Sequence, residues 1–183
     1  MTAVQGSWGL RCPRESKVLT AALWVRLAVM IHDGPPLCDG AVSLSSVRPQ
    51  DVHGCLTDDS VKYSMIWVDR AASDSSMVYF GIFRDQALIG QIFLHDRDEQ
   101  QGEALVGYHF FSAGHRGSGN GTAALRLLQR YVVEQLTLKR IIVITSPDNR
   151  ASQRLALRCG FALAGAPRED PDGLLYEWMV PQC

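Results

Sequence analysis

The chain has 183 residues, 46% hydrophobic and 20% charged, and its 18 Lys and Arg against 19 Asp and Glu leave a formal net charge of -1. At roughly 150 residues per domain, that length predicts one folded unit with a tail left over. The composition excludes a largely disordered, collagen-like or polytopic membrane chain, and the charge balance gives no global electrostatic reason to expect nucleic acid or an anionic membrane as partner.

Residues 1–39 read as an N-terminal extension without chemistry and residues 40–183 as the folded domain. Within the extension, Val18 to Ile31 is an apolar run of 14 residues broken by Arg26, too short to span a bilayer. Arg11, Arg14 and Lys17 ahead of it imitate a signal peptide, but Arg26 and the lack of an A-x-A-like cleavage site argue against one. A helix packed on the domain and a poorly ordered segment both stay open for this stretch, which ends at the breaker His32-Asp33-Gly34-Pro35-Pro36. The five cysteines, Cys12, Cys38, Cys55, Cys159 and Cys183, are scattered, odd in number and without a C-x-x-C pair. That spacing disfavours a disulfide framework or a zinc site and points to a reducing, cytoplasmic setting. The histidines add no metal site, because the closest pair, His109 and His115, has no Cys or carboxylate at ligand spacing.

Ala41 to Val47 alternates as a short strand, and Arg48-Pro49-Gln50-Asp51 then opens a helix with Pro in its first turn. Ser60 to Val68 reads as a second helix, followed by a polar loop from Asp69 to Ser76. Val78 to Phe83 alternates, Arg84-Asp85-Gln86 turns the chain, and Ala87 to Leu94 returns as the other strand of an antiparallel hairpin. A polar loop, Asp96 to Gly102, leads to a third strand, Glu103 to Phe111. The period then changes: Ala124, Leu125, Leu128, Val132 and Leu136 share one helical face, with Arg126, Gln129 and Arg130 placed away from it. Lys139 to Thr145 is nearly all apolar, as expected of a strand buried on both faces and entered by a crossover helix. Asp148 or Asn149 can cap the next helix, Cys159-Gly160 ends it, and Phe161 to Leu163 and Leu174 to Val180 close the chain as strands. This order predicts an α+β fold, a central mixed, mostly antiparallel sheet flanked by helices.

The junction His115-Arg116-Gly117-Ser118-Gly119-Asn120-Gly121-Thr122 links a strand to the firmest helix. Glycines let the backbone turn tightly and gather consecutive N–H groups, and the helix N-terminus adds partial positive charge, which suits a phosphate or pyrophosphate. It is not a P-loop, which needs a Lys absent here, nor a dinucleotide fingerprint, since the glycines run G-x-G-x-G and no acidic residue ends the following strand.

Arg116 to Gly121, R-G-S-G-N-G, resembles the R/Q-x-x-G-x-G/A signature of the GNAT superfamily of acetyl-CoA-dependent N-acetyltransferases. Asn149 to Phe161, N-R-A-S-Q-R-L-A-L-R-C-G-F, resembles its second block; S-V-R-P-Q-D at Ser46 to Asp51 and the G-Y-H-F strand also fit, so the likeness covers about residues 41 to 181 in order. The wording of the second block is most similar to the RimL-like branch, whose named members acetylate the N-terminal amine of ribosomal proteins. The resemblance implies a GNAT-like sheet, acetyl-CoA as cosubstrate and an amine acceptor, either a protein N-terminus or a small molecule, with a homodimer common among such relatives.

Acetyl transfer from a thioester to an amine needs a neutral amine, an oxyanion site and protonation of the departing thiolate. The resemblance implies that backbone N–H groups of Phe110, Phe111 and Ser112 and of Gly117, Ser118, Gly119, Asn120, Gly121 and Thr122 meet the pantetheine and pyrophosphate, that Arg116 adds a cationic contact, and that Asn149 sits beside the pantetheine arm. Many members place a Tyr acid four residues after the position of Ser152; here that position is Ala156, and in RimL-like enzymes the serine matching Ser152 is the proposed acid. For the base, Glu169 or Asp170 resembles the placement of the RimL-like glutamate, with Glu103 as rival; His109, His115 and Cys159 are weaker candidates. The missing Tyr keeps a second reading open, a non-catalytic acyl-CoA-binding or regulatory module.

Charge is unevenly distributed. Arg116 to Arg168 holds nine basic residues against two acidic ones, a local +7, and the remainder of the chain is -8. Near-neutrality thus hides a basic segment on the half assigned to a polyanionic cosubstrate, with the acidic excess elsewhere available to a cationic amine.

Overall fold

A computed structural model describes residues 35–55, 60–74 and 76–181. One eight-stranded sheet runs through it, in the order β1-β2-β3-β4-β5-β6-β8-β7. The strands are β1 (Leu37–Asp39), β2 (Val42–Ser45), β3 (Val78–Arg84), β4 (Ala87–Asp98), β5 (Glu103–Phe110), β6 (Arg140–Thr145), β7 (Ala162–Gly165) and β8 (Leu174–Met179), and the helices are α1 (Pro49–His53), α2 (Ser60–Ser73), α3 (Asn120–Gln135) and α4 (Arg150–Arg158). Every neighbouring pair is antiparallel except β5 and β6, joined through α3. The expected α+β architecture is the one observed. No helix among the described residues is long and apolar enough to cross a membrane.

Alternation along the central strands divides the core into two layers. Phe80, Ile82, Ile92, Leu94 and Val106 face Ala124, Leu125, Leu128 and Val132 of α3 and Ala156 of α4. On the other face Tyr79, Phe93 and Phe111 pack with Val52 of α1 and Val68 and Ala71 of α2. Strands covered on both sides carry near-continuous apolar sequence. β6 follows that rule over Ile141, Ile142 and Val143, but Ile144 is 39% exposed between buried neighbours, so one face of the strand opens at that residue.

Several boundaries differ from the sequence reading. Leu37–Asp39, assigned there to the extension, pairs with β2 as the edge of the sheet, while residues 1–34 lie outside the described residues. Helix α2 continues to Ser73 through what read as a polar loop, because Ala71 keeps the helical period of Val68 and is buried. β4 runs four residues past Leu94, its end paired at Asp98↔Glu103. Gln129 is buried, not turned away: it lies one turn from both Leu125 and Val132, on the flank facing α4, and its Nε2 donates to the Cys159 carbonyl at 2.9 Å.

The feature that positions the site is a divergence. β5 and β6 pair from Glu103↔Arg140 to Leu105↔Ile142, after which β6 continues along β8 to Thr145. The last residues of β5, Tyr108 to Phe110, therefore run on beside a widening gap, and α3 and α4 both start at this end of the sheet.

Candidate functional site

β5 ends in a tight sequence of turns. Ser112 accepts the Gly114 N–H on its Oγ and closes a short 3-10 turn over Ala113–His115. The chain then reverses through Gly117 at φ +80 and Gly119 at φ +86, left-handed conformations that a side chain would strain. Gly119 caps α3, and since the first carbonyl-bonded amide is Ala123 to Gly119 O at 3.1 Å, the N–H groups of Asn120, Gly121 and Thr122 have no partner within the helix. Gly121 lets the helix start approach its neighbours: a Cβ there would lie 3.1 Å from Leu155 Cδ2 and 3.5 Å from Phe110 Cε2.

The loop is pinned from behind. Arg84 at the end of β3 donates to Asn120 Oδ1 at 2.9 Å and to Ser118 Oγ at 3.4 Å, while Asn120 Nδ2 donates to the His115 carbonyl at 3.0 Å. Across the gap, Asn149 caps α4, its Oδ1 accepting the Ser152 N–H at 3.1 Å. Gln153 fastens the turn before it, donating to the carbonyls of Ser146 and Pro147. Ser152 is 7% exposed, and its Oγ lies 2.6 Å from the hydroxyl of Tyr108. Burial pushes the Tyr108 phenol up to about 12, with the Ser152 hydrogen bond pulling the other way.

These parts enclose a cavity of about 570 Å³, within the usual range for small-molecule sites. β5 contributes Tyr108, His109 and Phe110, the glycine turn and α3 contribute Arg116 to Thr122 in part, and α4 contributes Ala151, Ser152, Arg154, Leu155 and Arg158 beside Asn149. Three arginines and two helix N-termini face it, and among the described residues no carboxylate lines it. Such a wall is electrostatically suited to a phosphorylated, elongated ligand.

The residues expected at the site divide by placement. Phe110, Arg116, Gly117, Gly119, Gly121, Thr122, Asn149 and Ser152 line the cavity. Ser118 and Asn120 belong to the same turn but give their side chains to Arg84, and the Ser112 hydroxyl is used in its own turn. Phe111 is turned to the opposite layer, and its N–H is taken by the Ile89 carbonyl at 3.1 Å. By strand alternation the N–H and C=O of Phe110 then point away from β4, into the gap. Glu103 lies at the far end of β5, ion-paired with Arg140, which also holds Glu177. Glu169 is exposed in the β7–β8 connection, at the same end of the sheet as the cavity but not on its wall. Asp170 lies against Gly173 of its own turn. Burial raises the Cys159 thiol above its ordinary value, and its Sγ faces the Thr122 carbonyl from behind the wall.

Tyr108, Arg154 and Arg158 carried no role in the sequence reading. The arginines have a signal, the i, i+4 spacing that places them with Ser152's helix on one side; Tyr108 has only its alternation with Phe110.

A family model described as an acetyltransferase (GNAT) domain matches residues 41–162. YdaF of Bacillus subtilis (strain 168), whose name places it among ribosomal N-acetyltransferases, is 33% identical over 110 residues, 60% of this chain and 58% of that protein. The ribosomal-protein-serine acetyltransferase of Escherichia coli (strain K12) is 31% identical over 90 residues, 49% of this chain and 50% of that protein. The chain thus matches only half to three fifths of the length of these curated relatives. RimL, described as a ribosomal L7/L12 alpha-N-protein acetyltransferase, shares the fold in its apo crystal structure with a TM-score of 0.62 at 18% identity, over 81% of this chain and 100% of that one; it has also been solved in complex with coenzyme A.

Proposed function

The chain belongs to the GNAT acetyltransferase family, and on that premise we propose that it transfers an acetyl group from acetyl-CoA directly to the N-terminal α-amine of a protein, in preference to a small-molecule amine. The observation that carries this reading is the cavity wall: helix-start N–H groups and Arg116, Arg154 and Arg158 gathered around one end of the sheet without a carboxylate among them. That wall complements the phosphates of coenzyme A, and the gap beside Phe110 takes the extended arm. The acceptor class is supported by the names of the two curated relatives and of RimL, which refer to ribosomal acetylation.

In the transfer the amine nitrogen bonds to the thioester carbon, the C–S bond breaks with its electron pair on sulfur, and the amine proton leaves to a base. Ser152 is the donor to the departing sulfur. It sits one turn into α4, fixed by the Asn149 cap and beside Phe110 on the cavity wall. Glu169, on the loop at this end of the sheet, is the base, since Glu103 is held by Arg140 a full strand away. A base at that position would act through the open side of the cavity, by way of an intervening water, because Glu169 is exposed and off the wall. The same reading places the protein in the cytoplasm, where thiols such as those of Cys55 and Cys159 persist, and makes it a homodimer, as the resemblance to RimL-like enzymes implies.

The test is mass spectrometry of a panel of serine-initiated peptides and small amines incubated with acetyl-CoA and the full chain. Acetylation at peptide α-amines, abolished by Ser152→Ala together with Glu169→Gln, is the expected result. Acetyl-CoA binding with no acceptor modified would overturn it in favour of a non-catalytic acyl-CoA-binding module.

A further inference from the structure

Tyr108 on β5 and Ser152 on α4 are 44 residues apart in sequence, yet their hydroxyls meet at 2.6 Å on the wall of the cavity. The Asn149 cap takes the Ser152 N–H, and the Ser152 Oγ is within hydrogen-bond distance of the Tyr108 hydroxyl.

We propose that Tyr108 is the positioning residue for the acid: its phenol donates to Ser152 Oγ, which leaves the single Ser152 proton directed into the cavity toward the departing sulfur. The direction follows from chemistry. A phenol is a stronger acid and a better donor than an aliphatic hydroxyl, so in a phenol–alcohol pair the phenol gives its proton to the shared bond. Its upward pKa shift keeps it protonated, and only a protonated Tyr108 can hold Ser152 in this arrangement; a phenolate would draw the Ser152 proton to itself. Donation into Ser152 Oγ also polarises the Ser152 O–H and strengthens it as a donor. The pair therefore occupies the role left open by Ala156, where a single tyrosine would otherwise stand. The balance stays simple. Sulfur leaves with the C–S electron pair while accepting the Ser152 hydrogen bond, and the proton shed by the amine to the base and solvent is the one the thiolate finally takes up. Neither hydroxyl ends the cycle ionised.

The inference rests on the proposed role of Ser152, and one set of variants separates the two. With a serine-initiated peptide as acceptor, Tyr108→Phe keeps the ring and its packing but removes the donor; kcat should fall by roughly tenfold, in line with one lost hydrogen bond, with the KM for acetyl-CoA unchanged. In Ser152→Ala the same tyrosine substitution should cost nothing further, because the two act as a unit. A fluorinated tyrosine at position 108, whose phenol ionises at lower pH, should restore kcat at neutral pH and lower the pH at which kcat declines on the alkaline side. A merely structural tyrosine would move none of these. If Ser152→Ala lowers kcat and Tyr108→Phe does not, the positioning role is wrong while the acid stands. If Ser152→Ala leaves kcat unchanged, or the wild type does not turn over the peptide, the reading beneath it is wrong.

Discussion

Asn149 shows how one side chain serves both the fold and the site. Its Oδ1 satisfies the Ser152 N–H at the start of α4, and the same residue stands on the cavity wall. Asn149→Ala should lower stability by about 1 kcal/mol, the usual worth of an N-cap, and raise the KM for acetyl-CoA, both read from thermal unfolding and steady-state kinetics on the same preparation. At this scale the sequence was informative where chemistry is local. The Asn149 cap is separated from its amide by three residues, and the glycines at 117 and 119 sit where positive φ is needed. Tyr108 was not legible, since its partner is brought to it by the packing of α4 on the sheet, which no short-range pattern encodes. Glu103 had the opposite difficulty: a carboxylate beginning a strand looks available, but the strand order places Arg140 beside it.

Among the elements, the helices and strands with a clear period were read correctly in kind, and the errors fall where polar residues continue a regular element. Asp69 to Ser73 looked like a loop, yet Arg70 ties that end of α2 to Asp74 and Asp96, and Trp67 packs on His95 and Phe93. Burial lowers the His95 pKa from 6.5, against the opposing pull of Asp96. A histidine held neutral in the fold contributes stability that is complete above the unfolded value and is lost as pH falls through the lower folded value. Denaturant unfolding should therefore show the wild type losing more stability than His95→Gln between about pH 7 and about pH 5. The β3–β4 hairpin offers a second test. Its turn residues Asp85 and Gln86 have φ values of +49 and +71, as two-residue hairpin turns require, but Gln86 carries a side chain in that conformation. Gln86→Gly should stabilise the protein by roughly 1 kcal/mol, visible as a higher Tm with no change in activity.

Across the whole molecule, the mixed sheet and the crossover through α3 follow from element order, whereas the parting of β5 from β6 after Leu105↔Ile142 does not. That parting depends on β6 following β8, and β8 is contributed by the last strand of the chain. The charge division read from the sequence acquires a place here. The basic segment supplies Arg116, Arg154 and Arg158 to one cavity, while Arg140 is spent on holding Glu103 and Glu177 across three strands. Local net charge therefore pointed to the half of the molecule that supplies the arginines of this cavity, without naming which of them line it. The most direct measurement is calorimetric titration of acetyl-CoA into the full chain and into Arg154→Ala/Arg158→Ala. One molecule bound per chain, weakening with added salt and by roughly fivefold to tenfold in the double variant, is the expected result. No heat at millimolar acetyl-CoA, or an affinity indifferent to the two arginines, would contradict the assignment of this cavity.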